Sequence, residues 1–414
     1  MKRLFAFVCV MLVAAALFCG CTDASDPIDP PSSAQEPSPS DAETPESGPS
    51  DAETPEPVSE IEITDMIGRT VNVKPGSYKR VVCIGAGALR MYSYVGDVAL
   101  LAGVEDIDNL SLTERPKMFD SVARPYVLAF GETFKTLPSV GAGGPNAQAA
   151  EAEKILGCAP DIVISEYEDV EKEDALASQL GIPVVTLRSG PDAVFDEAFA
   201  GSLRLLGTIF GREDRAEALI SFIEAEKEAI ERAVSDVPES EKPSVYIGGL
   251  GNWGTTNHLM TAENYVSFRI ANVKNAVSGL SKSGIQPIEA EAFVTFAADA
   301  DLMILDAASV KNILPLLKEN PSLFEGAKPF ADNEVYLEMA YNAYYTNYEI
   351  ALVNTWFIAK TVYPDRFAEI DIKEKTDEVT RAFLGKPLAD EIYSCPQSYG
   401  GYQKIDVNTF FSQP

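Results

Sequence analysis

Histidine occurs once in this chain of 414 residues, at His258. One imidazole cannot build a three-His zinc centre, so a zinc site of that type is excluded. No HExxH pair, serine elbow or cysteine–histidine couple occurs either, so metalloprotease and nucleophilic hydrolase chemistry lack their parts. No catalytic residue, protein-held metal or cofactor is therefore expected. Basic residues are scarce as well: 33 Lys and Arg face 63 Asp and Glu, for a net charge of −30. Neutralisation of nucleic-acid phosphates is excluded by that balance. Beyond the N-terminal segment no run of about 18 apolar residues occurs, so no later segment is expected to span a bilayer. Cysteine is also sparse. Of six, Cys9, Cys19 and Cys21 sit in the first segment, leaving Cys83, Cys158 and Cys395 at wide spacing with no disulfide framework.

What is present begins with MKRLFAFVCVMLVAAALFCGC over residues 1–21. Lys2 and Arg3 precede an apolar run that is too short and too early for a comfortable span. The run closes on Gly20-Cys21 and resembles a lipoprotein signal, which makes Cys21 the expected lipidation site; a plain secretory signal is the rival reading. Residues 22–60 hold eleven acidic residues and no Lys or Arg, and repeat PSDAETPE from Pro39 and from Pro49. Such a stretch buries too little apolar surface to order itself, so an extended, self-repelling stalk is expected. Anchor and stalk together form a tether to a membrane surface.

From residue 61 the composition turns globular, and the length suits two domains. Runs at 81–85, 98–105, 161–165 and 183–187 read as buried parallel strands with helices at 88–96 and 173–181 between them. A second set follows at 244–250, 300–306 and 334–338, with helices near 262–271, 309–318 and 347–361. Between the sets lie helical stretches at 192–211 and 212–237. The second stretch has no Gly or Pro, and its apolar residues from Ala216 to Val234 share one face, Lys227 being the one polar interruption. The expected architecture is α/β, with mostly parallel sheets: a lobe over 61–211, a backbone helix over 212–237 and a second lobe over 238–414. AEKILGCAPDIVI around Asp161 and AEAFVTFAADADLMIL around Asp301 form a weak internal repeat, helix into strand.

ITDMIGRTVNV (63–73), KRVVCIGAGALR (79–90) and the AEKILGCAPD segment, in this order and ahead of the long helix, resemble substrate-binding proteins of ABC importers for iron complexes and cobalamin. The resemblance covers about 61–385. It implies a ligand cleft between two lobes that clamp a siderophore, haem or corrinoid with little hinge motion. It also implies a monomer that delivers this small metal chelate to permease and ATPase subunits. Each lobe would then dock through one acidic residue, Glu153 on the first and Glu291, preferred to Glu289, on the second. The usual Asn before Glu153 is absent, and GGLGNWGTTNHL (248–259) is no general motif of that family.

Ligands of open parallel sheets sit beyond the carboxyl ends of the strands. Gly85 and Gly87 there let a backbone turn come close to a ligand, and Arg90 in the first helical turn meets either an anionic group or a structural acid. Glu105 stands where a dinucleotide fingerprint puts its ribose acid, but Arg90 replaces the third glycine and a nucleotide site is rejected. Arg124 and Tyr126 flank Pro125 in an expected loop, where Arg and Tyr suit a large polar-aromatic ligand. Trp253 and His258 lie in the glycine-rich loop 248–260, offering a stacking ring and a hydrogen bond. Tyr341, Tyr344 and Tyr345 fall in the loop feeding a helix that opens near Asn347, with Tyr348 inside it. A tethered hydrolase using Glu289 and Glu291, and a two-lobed sensor for a membrane receptor, are the alternatives to an importer component.

Overall fold

A computed structural model describes residues 59–144, 150–251 and 257–411. Strands β1 (Ile61–Thr64) and β2 (Thr70–Val73) pair as an antiparallel hairpin, followed by β3 (Val81–Ile84), α1 (Ala88–Val95) and β4 (Leu101–Gly103). Then come α2 (Pro125–Phe134), α3 (Ala152–Gly157), β5 (Ile162–Ser165), α4 (Val170–Leu180), β6 (Val184–Thr186) and α5 (Glu197–Phe210). The four strands β4-β3-β5-β6 form an all-parallel sheet with Cys83 beside Ile164. Each strand is buried, as continuous apolar runs require in a parallel sheet covered on both faces. The strand expected at 98–105 is shorter, because Asp97 accepts a hydrogen bond from the Ala99 N–H (3.0 Å) and turns 98–100 into a 3-10 helix.

Helix α6 (Glu213–Val234) is the expected long helix; its 22 residues give about 33 Å at 1.5 Å each. Its buried face carries Ala216, Leu219, Ile220, Ile223, Ile230 and Val234. The buried polar residue on that face is Glu226 rather than Lys227. Glu226 accepts hydrogen bonds from the Trp356 indole (2.7 Å) and the Lys375 ammonium (3.1 Å).

The second lobe runs through β7 (Ser244–Gly248), β8 (Met260–Thr261), α7 (Val266–Ile270), β9 (Lys274–Asn275), β10 (Gln286–Pro287) and α8 (Ala290–Ala298). It continues with β11 (Leu302–Asp306), α9 (Ala307–Glu319), α10 (Lys328–Ala331), β12 (Val335–Glu338) and α11 (Tyr348–Val362). Helices α12 (Ile372–Leu384) and α13 (Ala389–Ser394), β13 (Gln403–Ile405) and α14 (Val407–Phe410) end it. Its sheet, β13-β12-β11-β7-β9, is parallel except for the edge strand β13. Two α/β lobes joined by one long helix are therefore present. Helices α12 and α13 return to pack on α2 of the first lobe.

The internal repeat has a structural counterpart. Asp161, just before β5, accepts hydrogen bonds from the Lys79 and Arg80 N–H groups at 2.7 and 3.0 Å, while Asp301, just before β11, accepts from the Ser244 N–H at 2.9 Å. Each aspartate secures the start of the neighbouring strand, β3 or β7.

Candidate functional site

A cleft of about 760 Å³ lies at the carboxyl ends of the strands of both sheets. It is lined by residues one to three positions past those strands: Ala86 after β3, Glu166 after β5, Gly251 after β7 and Ala308 after β11. Tyr341, Tyr344 and Tyr345 line it too, from the loop between β12 and α11. That loop is tightly held. The Tyr341 N–H donates to Asp306 Oδ2 (2.8 Å), the Asn347 N–H to Tyr341 O (2.9 Å), and the Asn347 amide to Ala340 O (2.8 Å) and Ala123 O (3.1 Å). Asn347 is the residue before α11, as its sequence context indicates, but its side chain fixes the loop instead of capping the helix.

Tyr344 and Tyr345 take φ values of 52° and 73°, the left-handed region, where a bulky side chain costs of order 1–3 kcal/mol. Glycine or asparagine would take these conformations with far less strain. Tyrosines in their place aim two rings at the cleft. Tyr344 is buried and donates its hydroxyl to Glu105 Oε2 (2.6 Å), crossing from one lobe to the other; Tyr345 is 41% exposed and receives a hydrogen bond from Ser189 Oγ (3.2 Å). Glu105 also accepts from the Gly85 N–H (3.1 Å), and burial pushes its carboxyl up to about 7 despite these two bonds. The residue that resembled a ribose acid is thus an interlobe acceptor.

The other described site candidates lie elsewhere. Arg90 is 1% exposed, donates to Asn347 Oδ1 and to Ala343 O (2.7 Å), pairs with Glu349 (3.6 Å) and stacks on the Tyr126 ring at 4.5 Å. It has the structural partners of the ion-pair reading and does not line the cleft. Arg124 ends the loop as the extended residue before α2, but Tyr126 lies inside that helix, because Pro125 opens it where its fixed φ and missing N–H carry no penalty. Both donate to the buried Asp108 Oδ1 at 2.6 Å, and neither lines the cleft. His258 is 3% exposed between the Phe293 and Phe324 rings, each at 4.9 Å, and desolvation pulls its imidazole down to about 4. It is a neutral core residue. Trp253 and Cys21 lie outside the described residues. Glu153 and Glu291 are exposed in the first turns of α3 and α8, the helices that lead into β5 and β11. Neither Glu291 nor Glu289 lines the cleft.

Sequence reasoning missed Glu166. Its carboxyl lies over Gly87, where an added Cβ would stand 3.2 Å from Glu166 Oε1 and 3.5 Å from the Tyr345 ring. Gly87 has φ 109° at the start of α1, so glycine is required there by both conformation and space. Placement directly after a buried strand was the available signal.

Residues 81–325 match the family described as periplasmic binding protein, more than half of the chain. The chain belongs to the periplasmic binding protein family. No curated protein matches it. Solved structures of low identity share the fold. A periplasmic solute binding protein of Veillonella parvula is 19% identical with TM-score 0.61, over 85% of this chain and all of that one. A Haemophilus influenzae binding protein bound to molybdate is 15% identical with TM-score 0.61, over 79% and 98% of the two chains. A Helicobacter pylori protein solved with nickel is 13% identical with TM-score 0.53, over 79% and 96%. Periplasmic binding proteins bind solutes outside the cytoplasm, and the cleft between the lobes is the ligand site that this membership points to.

Proposed function

We propose that the protein is the lipid-anchored, extracytoplasmic substrate-binding component of an ABC importer for a metal chelate. The ligand class is a ferric siderophore, haem or corrinoid, passed to a membrane permease driven by its ATPase. The observation that carries this reading is the interlobe cleft. At about 760 Å³ it lies within the range of sites for medium-sized organic ligands and is many times larger than a tetrahedral oxyanion. Three tyrosines on one strained loop supply stacking faces and phenolic hydrogen bonds suited to a polar-aromatic chelate. Acylation at Cys21 followed by the acidic segment would hold the binding unit close to the permease. Glu153 and Glu291, exposed at equivalent helix starts on the two lobes, are the proposed docking acids.

Thermal-shift titration with a ferric trihydroxamate, a ferric tricatecholate, haem and cyanocobalamin tests the ligand class. Concentration-dependent stabilisation by at least one is expected. Stabilisation by a sugar or peptide and by none of the chelates refutes it. Permease and ATPase genes beside the coding sequence separate the importer from a receptor-linked sensor.

A further inference from the structure

The cleft contains one acid without a partner. Glu166 follows β5 on the cleft wall, and its Oε1 is fully buried and accepts no hydrogen bond among the described residues. Buried polar atoms are ordinarily satisfied, and an unsatisfied acceptor costs about 1–3 kcal/mol. Two neighbouring lining charges are engaged elsewhere: Lys172 pairs with Asp169 at 3.0 Å, and Glu168 with Arg188 at 3.2 Å. The third lining cation, Lys311, stands on α9 of the second lobe and forms no ion pair with Glu166. Desolvation, reinforced by the Glu168 charge, holds the Glu166 carboxyl well above the usual carboxylate range. Burial first, and the nearby Glu166 carboxyl second, raise the phenols of Tyr345 and Tyr348. Among the described residues no basic group pairs with Glu166.

We propose that Glu166 is the cleft residue that receives a positively charged nitrogen, an ammonium or guanidinium, of the bound ligand. The inference rests on the reading of the cleft as the ligand site and specifies which chelates enter it. A cationic nitrogen within hydrogen-bond distance gives the carboxylate the opposite charge and the donor that it lacks. The Tyr345 ring, 3.5 Å from the same Gly87 Cβ position, offers a π face to the same cation. The Gly87 backbone leaves room for both groups, since any Cβ there would press on the Glu166 carboxyl. Trianionic chelates meet an uncompensated acid at this wall and are disfavoured.

The test uses two ferric trihydroxamates that differ at a single nitrogen, one with a free primary ammonium and the other N-acetylated there. Both are titrated calorimetrically into the wild-type folded protein and into E166Q, with E168Q as the control acid. The ammonium form is expected to bind wild type at least tenfold more tightly than the acetylated form. That preference should vanish in E166Q and persist in E168Q, with E166Q folded by circular dichroism. Equal binding of the two chelates, or a preference that survives in E166Q, overturns the inference and leaves the importer reading intact. So does binding of haem or a tricatecholate when neither trihydroxamate binds. If no chelate of either charge binds wild type, the reading of the cleft itself fails.

Discussion

Replacing Glu105 by Gln should change how stability depends on pH. The carboxyl is 5% exposed and burial pushes it up to about 7, against the opposing bonds from Tyr344 and the Gly85 N–H. Its value in the unfolded chain is near 4.3. The folded state therefore holds this proton more tightly. The stabilisation that results is complete below the unfolded value and is lost as pH rises through about 7. Between pH 5 and pH 8 the loss from this one group is about 2.5 kcal/mol. Gln cannot titrate. It also accepts only one of the two hydrogen bonds, a pH-independent offset of about 1 kcal/mol. Asp306 and Glu173, each also pushed up to about 7 by burial, titrate in both proteins and cancel in the comparison. Urea unfolding of wild type and E105Q at half-unit steps from pH 5 to 8, with a constant denaturant slope, measures the difference. The variant should gain about 2–3 kcal/mol on wild type across that range. A difference that stays flat with pH would show that Glu105 is already ionised in the folded protein.

Tyr345→Asn should weaken chelate binding by about 1–3 kcal/mol through loss of the exposed ring, yet leave thermal stability level or higher, because Asn tolerates positive φ; a large fall in melting temperature would contradict this. Arg90→Met should destabilise by about 3–5 kcal/mol in chemical denaturation, because it strands the fully buried Glu349. A stable variant with lost ligand binding would instead return Arg90 to the site. Glu153→Arg combined with Glu291→Arg should leave chelate affinity unchanged while uptake by cells falls sharply, and uptake at the normal level with normal expression would place the docking contacts elsewhere.

Sequence periodicity revealed the frame because parallel strands must be apolar on both faces and α6 must present one apolar stripe. Both requirements leave local patterns at 81–84, 162–165, 302–306 and 213–234. The tyrosine loop was legible for a similar reason: Asn347 marks a helix start, so the aromatics before it had to be loop. Arg90 was not, since its partner Asn347 lies 257 residues further along and no local pattern separates a ligand arginine from a core one. Pro125 misled for a simple reason: proline after an extended residue reads as a loop and fits the first helical position equally well. Glu166 stands in the acidic stretch 166–174, where residue type alone does not set it apart. What distinguishes it is position after a buried strand, visible only once the strand's end is fixed.

The contacts that misled the site reading explain how the cleft keeps its shape. One apolar core extends through Val81 in the first sheet, Leu219 on α6, Met303 in the second sheet and Phe383 on α12. Arg215 on α6 donates to the Tyr94, Ala382 and Phe383 carbonyls at 2.8, 2.6 and 2.8 Å, locking α1, α6 and α12 together. The Tyr94 hydroxyl reaches Glu349 at 2.5 Å, and Arg90 reaches Asn347, so both bonds cross between the lobes behind the tyrosine loop. Swinging the lobes apart would expose this core and break buried, charge-assisted bonds together, at a cost comparable to unfolding part of the protein. The cleft is therefore preformed, and binding avoids the ordering penalty of a mobile site. A site built this way holds its ligand unless something pulls on both lobes, which gives a physical reason for the proposed docking acids, Glu153 and Glu291, to stand one on each lobe.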